Sequence, residues 1–295
     1  MNVPNYLQPP GPWKPGIYDL DSYEHYDSIP ALRSSHLRLL KKSPAHFAAE
    51  FDQRWKKPIS PQTQKSFDKG KAFDVLMLHG ADNLATRVAI EPDISKSKKE
   101  YKEWKADHEN NIRLSQREYD YIVEMKRRVD AKSAFSRIFS DGHPHKVVVW
   151  QDGTGIWCKA EIDWIMSDGT VVDLKTTSGG ADFWAFSRAA YRYGYLNQGA
   201  YYLAGLSAVT GVQHSDFMLA VCEVEPPFES QVFRATADQL FRAEQENEEC
   251  LSLLLDCYRR DEWPGYPDEI IDLDSGQIID EDYQDYDDIE NMGGF

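Results

Sequence analysis

The sequence predicts an α/β fold in which a mixed β-sheet is flanked by helices. Three observations carry this. Two β-type runs, 159–166 and 170–175, are separated only by Ser167-Asp168-Gly169; further apolar runs at 145–150, 215–224 and 230–235 supply more strands; and stretches with apolar residues every three or four positions at 66–79, 183–206 and 237–260 supply helices. The chain has 295 residues, 41% of them hydrophobic, which suffices for a full core.

The hairpin comes first because its loop fixes a register. A three-residue loop with glycine in the left-handed position sets 163 opposite 173 and 161 opposite 175, and opposed residues project from the same side. Glu161, Asp163, Asp173 and Lys175 are then expected on one face, and Ile162, Trp164, Val172 and Leu174 on the apolar other. A two-residue loop would slip the register and part the two aspartates. Three carboxylates in one layer repel. Two readings fit: a solvated face with a Glu161–Lys175 cross-strand pair, or a site for a hard divalent cation, Mg²⁺ or Mn²⁺, which oxygen donors suit.

The remaining elements follow in chain order. Met1–Gly16 holds five prolines and reads as an extended arm, lying on its own domain or on a neighbouring subunit. A serine cap at Ser34-Ser35 is expected to open a short helix, and Ser43-Pro44 a second one. His36 and His46 read as surface or packing residues. In helix 66–79, Asp74 stands among apolar residues, so it needs an arginine or a metal. Segment 94–146 is the most basic, with thirteen Lys/Arg against nine Asp/Glu; phosphate-contacting helices and ordinary solvated faces both fit. Strand 145–150 turns at 151–155 into the hairpin. Thr176-Thr177-Ser178-Gly179-Gly180 is a loop. On helix 183–206, Tyr195, Gln198 and Tyr202 share a face, and the buried glutamine requires a specific partner. Helix 237–260 ends at Trp263-Pro264-Gly265-Tyr266.

Net charge is −16, but 268–295 holds eleven Asp/Glu and no Lys/Arg, so residues 1–267 carry about −5 (−16 plus 11). This weakens the objection to a nucleic-acid partner without producing a basic footprint. Cys158, Cys222, Cys250 and Cys257 lack close spacing and read as buried free thiols. With no long apolar run and no signal-type N-terminus, no membrane is expected, and a soluble cytoplasmic location follows.

The pattern Asp163, nine residues, Asp173-Leu174-Lys175 resembles the signature of the PD-(D/E)XK nuclease superfamily. Together with Ser34-x-His36-Leu37, Ser43-Pro44-Ala45-His46-Phe47, Gly70-x-Ala72-Phe73-Asp74, Lys175-Thr176-Thr177, Tyr195-x-x-Gln198-x-x-x-Tyr202 and Trp263-Pro264-Gly265-Tyr266, it is similar to the RecE type (exonuclease VIII) over about residues 30–267, and more distantly to the RecB nuclease domain and lambda exonuclease. The resemblance implies a PD-(D/E)XK restriction-endonuclease-like core between an arm, 1–29, and an acidic tail, 268–295. It implies Mg²⁺ held by Asp74, Asp163, Asp173 and the Leu174 carbonyl, with Asp163, Asp173 and Lys175 catalytic. Tyr195, Gln198, Tyr202, Thr176 and Glu161 would support the site or touch DNA. Two positions depart from the family: Asp74 replaces a usual histidine, and His145 stands ahead of Trp150 where relatives often carry glutamate.

The implied activity is 5′→3′ digestion of linear double-stranded DNA from an end. It leaves 3′ single strands for an annealing partner in phage-type recombination, and it implies a ring of three or four subunits in a bacterial or phage-infected cell. An endonuclease on the same core and an inactive DNA-binding or assembly protein are the alternatives. Lys175→Ala is expected to abolish cleavage while leaving the melting temperature within a few degrees. The tail reads as a partner-docking segment, a DNA mimic or a solubilising extension.

Overall fold

The structure is a computed structural model, and it describes residues 3–19, 23–56 and 58–271. Most of the 268–295 tail lies outside the described residues. In chain order the elements are β1 (Gly16–Asp19), α1 (Tyr23–Ser28), α2 (Ser34–Lys42), α3 (Pro44–Glu50), α4 (Pro61–His79), α5 (Ala81–Arg87), β2 (Val88–Ile90), α6 (Lys99–Asp107), β3 (Ile112–Leu114), α7 (Gln116–Asp130) and α8 (Ser133–Ile138). There follow β4 (Gly142–Gln151), β5 (Trp157–Met166), β6 (Val171–Thr177), α9 (Phe183–Tyr193), α10 (Tyr195–Thr210), β7 (Phe217–Glu223), β8 (Ser230–Arg234) and α11 (Ala237–Arg260).

The main sheet runs β1-β4-β5-β6-β7-β8, antiparallel throughout except for the parallel pair β6–β7, which α9 and α10 connect. This is the mixed, helix-flanked sheet that the sequence predicts. Strands β2 and β3 form a separate parallel pair. One face of the main sheet packs Trp150, Val171 and Leu219 with Leu37, Phe47, Leu206 and Leu254 from α2, α3, α10 and α11. The other packs Val172, Leu174 and Met218 with Phe73, Met125 and Phe135 from α4, α7 and α8.

Local chemistry sets the helix ends. Ser43 accepts from the His46 N–H and Pro44 opens α3, as expected. The same pair recurs at Ser60-Pro61, where Ser60 accepts from the Thr63 N–H, so α4 starts ahead of position 66. Helix α2 corrects the expected serine cap: Arg33 holds the cap position and makes no side-chain cap bond. The expected single helix 183–206 is two, because Gly194 adopts a left-handed conformation (φ 68°) that ends α9 and starts α10. Helix α10 then lies tight on the sheet: a Cβ on Gly199 would sit 2.4 Å from the Phe217 ring.

The proline-rich segment rests on its own domain, with the Trp157 N–H bonded to the Tyr6 carbonyl at 2.8 Å and the Tyr258 hydroxyl to the Pro4 carbonyl at 2.6 Å. It does not stay extended to residue 29, since β1 joins the sheet edge and α1 follows. After α11 the chain folds back onto α3. The Trp263 ring stacks on Phe47 at 5.6 Å, and the Ala45 N–H donates to the Pro264 carbonyl at 3.0 Å. All four cysteines are free and buried. Among the described residues, no helix is long and apolar enough to cross a membrane.

Candidate active site

The site begins with an interruption in the sheet. Gly169 takes φ +87° in the β5–β6 loop, and the pairs Trp164–Val172 and Ile165–Val171 keep the register expected of a three-residue loop. Beyond Trp164 the ladder gives way, and the Asp163 carboxylate itself accepts the Leu174 N–H at 2.7 Å. On the other side, β4 pairs through Pro144–Trp164 and Lys146–Ile162 but skips His145, whose φ is +42°. A left-handed histidine costs on the order of 1–2 kcal/mol. Alternation also fails there: Ile162 packs with Ile165 on one face and Trp164 on the other. The expected grouping of Ile162 with Trp164, Val172 and Leu174 is therefore corrected, because β5 kinks at Asp163.

The kink opens beside a cleft of about 920 Å³. Asp74 from α4, Glu161 and Asp163 from β5, and Asp173, Leu174, Lys175 and Thr176 from β6 all line it. Tyr195, Gln198 and Tyr202 from α10 line it too, so the expected site residues meet in one place. Lys175 Nζ stands 2.7 Å from Asp173 Oδ2 and 4.8 Å from the centre of the Tyr195 ring. The contact with Asp173 is a close ion pair to a fully buried carboxylate oxygen. The Glu161–Lys175 pair of the solvated-face reading is replaced by Asp173–Lys175; Glu161 instead faces His145 Nδ1 at 3.8 Å. Gln198 finds its required partner in the Tyr202 hydroxyl, to which Nε2 donates at 2.6 Å.

Charge crowding shifts the acids. Burial, followed by the Asp163 charge, raises the Asp74 carboxyl well above the usual range. Burial and then Asp173 push Asp163 up to about 7. Burial also raises Asp173, against the pull of Lys175. For Lys175 burial opposes the charge, yet Asp173, Tyr195 and Asp163 outweigh it and hold the amine protonated. The rings of His79 and His145 stack 4.7 Å apart at 4°. Burial and then His145 lower His79 to about 4.

The donor chemistry fits a hard cation: the acids on the cleft, Asp74, Asp163 and Asp173 among them, offer only oxygen. Among the described residues, no three His, Cys, Asp or Glu side chains already converge into a metal cage. The aspartates share a cleft rather than a preassembled coordination shell.

The profile of the family described as "PDDEXK-like domain of unknown function (DUF3799)" matches residues 33–273, most of the chain and nearly all of the cleft. The chain belongs to this PDDEXK-like family. Among solved structures, a crystal structure described as a "Putative exonuclease" from Eubacterium rectale is 16% identical, covers 88% of this chain and 99% of its own, and superposes with a TM-score of 0.54, which shows a shared fold. The crystal structure of SSO0001 is 12% identical over 64% of this chain and 85% of its own, with a TM-score of 0.28. No curated protein matches in sequence.

In this PDDEXK-like domain the basic residues of the cleft come from places other than the segment richest in them. Arg38 and Lys41 on α2, Lys69 on α4, Arg192 on α9 and Arg242 on α11 line it, whereas segment 94–146 contributes nothing. Charges of that segment pair within their own helices, as in Lys99–Glu103 at 3.2 Å and Arg128–Glu124 at 2.8 Å, or with neighbouring elements, as in Lys132–Glu229 at 2.7 Å. The i, i+3 spacing of Arg38 and Lys41 was the available signal.

Proposed function

We propose that this chain is a Mg²⁺-dependent deoxyribonuclease, with Mn²⁺ as a substitute, that hydrolyses linear double-stranded DNA from a free end. The observation that carries the reading is the convergence of Asp74, Asp163 and Asp173 on one cleft, with Lys175 Nζ 2.7 Å from Asp173 Oδ2. Asp74, Asp163, Asp173 and the Leu174 carbonyl would hold the cation. Bound there, Mg²⁺ supplies Lewis acidity toward water and phosphate and offsets the charge of the phosphorane-like transition state.

The chain's own residues do the rest. Lys175, kept protonated by its acidic neighbours and fixed over Tyr195, donates to the attacking water or to a non-bridging phosphate oxygen. Gln198, oriented by Tyr202, lines the cleft beside it. Arg38, Arg192 and Arg242 line the walls and donate to the phosphate backbone there. The exonuclease description of the structural neighbour supports the end-dependent form of the activity, and the likeness to the RecE type supports its 5′→3′ direction. The same likeness supports a subunit ring, a single-strand annealing partner and a cytoplasmic setting.

The test is digestion of end-labelled linear duplex against covalently closed circles, with Mg²⁺ and with EDTA. Linear DNA should shorten from its 5′ ends only with metal, and circles should survive. Equal loss of circles would replace this reading with an endonuclease, and cleavage in EDTA would remove the metal from it.

A further inference from the structure

Helix α9 follows directly from the strand that bears Asp173 and Lys175, and it is unusual in what it leaves uncovered. Its inner face buries Phe186 and Ala190. Its outer face carries Phe183, Trp184 and Tyr191, which are 59%, 73% and 83% exposed. Spacings of i, i+4, i+8 (183, 187, 191) and i, i+4, i+7 (184, 188, 191) gather these rings with Arg188 on one side. An exposed apolar patch of this kind marks an interaction site. Phe183 and Trp184 pack edge to face at 5.1 Å. The C-terminal end of the same face, Tyr191 and Arg192, enters the cleft.

We infer that the outer face of α9 binds single-stranded DNA, stacking unpaired bases on Trp184, Tyr191 and Phe183 where a strand leaves the cleft. The inference rests on the nuclease reading for its setting, and three features choose this occupant. Aromatic faces stack on any base and need no sequence. Arg188 and Arg192 supply charge complementary to a phosphate backbone. The platform meets the cleft at Tyr191 and Arg192, which line it.

The test is fluorescence-anisotropy titration of the full chain, in EDTA so that nothing is cut, with labelled oligothymidylate, an abasic oligonucleotide of equal length and a blunt duplex. Wild type should bind oligothymidylate more tightly than the abasic strand. Trp184→Ala and Tyr191→Ala should each weaken oligothymidylate binding by roughly tenfold and erase its advantage over the abasic strand, while Trp184→Phe should retain most of it. Unaltered oligothymidylate binding in both alanine variants overturns the inference. So does a fall in sedimentation mass on substitution, which would make the face a subunit contact. Cleavage is assayed separately. A wild type that cuts linear DNA while its strand binding ignores these substitutions keeps the nuclease reading and loses this one; base-dependent binding without cleavage does the reverse.

Discussion

Lys175 and Asp173 define the residue scale. From sequence alone Lys175→Ala looks harmless to the fold, but the structure buries Asp173 with Lys175 as the cation beside it. Truncation leaves that carboxylate unpaired, a situation that costs about 3–5 kcal/mol when the charge persists. Protonation relieves it, so we expect Lys175→Ala to lose cleavage and to melt well below wild type at pH 8, with the gap narrowing by pH 5. Differential scanning fluorimetry at both pH values checks this.

The raised acids give a second expectation. A carboxyl whose folded pKa exceeds its unfolded value of about 3.9 stabilises the fold at low pH, and that contribution is lost as pH rises through the folded pKa. For Asp163 the window runs from about 4 to about 7. Metal-free protein should therefore lose stability across it, and Mg²⁺ should raise the melting temperature more at pH 8 than at pH 5. A third concerns Lys159, buried and donating to the carbonyls of Tyr26 at 2.7 Å and Ile29 at 2.8 Å. Lys159→Met strips these acceptors of their donor and should cost about 2–4 kcal/mol in urea unfolding.

At the scale of elements, α10 and the β4–β5 kink place the chemistry. Gly199→Ala drives a methyl into the fully buried Phe217 ring. Overpacking of this kind costs about 1–3 kcal/mol, and lifting α10 also displaces Gln198 and Tyr202, so cleavage should fall along with the melting temperature. Much at this level was legible. The hairpin loop gave the register, and the i, i+3, i+7 spacing gave the face shared by Tyr195, Gln198 and Tyr202. The Ser60-Pro61 start and the Gly194 break carried signals of types already used elsewhere in the chain. The kink did not, because strict alternation supplies no reason for Asp163 to leave the ladder; the reason is long-range, in the Leu174 N–H it accepts and in the bend at His145.

For the whole molecule, a net charge of −16 conceals a cleft with arginines and lysines from four helices. Composition averages over the surface, whereas a ligand meets only the local lining, where these cations stand among acids such as Glu225 and Glu246, which is why they stayed hidden in the sequence. Replacing Arg38 and Arg242 together with alanine should weaken duplex binding and flatten the plot of log affinity against log salt by about 0.9 for each phosphate that is no longer neutralised. Titrations at several salt concentrations measure the slope.

The bonds tying Pro4 and Tyr6 to Tyr258 have a practical corollary. They bring the proline-rich arm against the end of α11, so a bridge from beyond the Trp263–Pro264 fold-back to the arm would splice the chain into a continuous ring. New termini could then be cut at the Asp152–Thr154 bend, whose central Gly153 is open to solvent. Such a rearranged molecule should retain the same architecture with both of its ends moved to that bend.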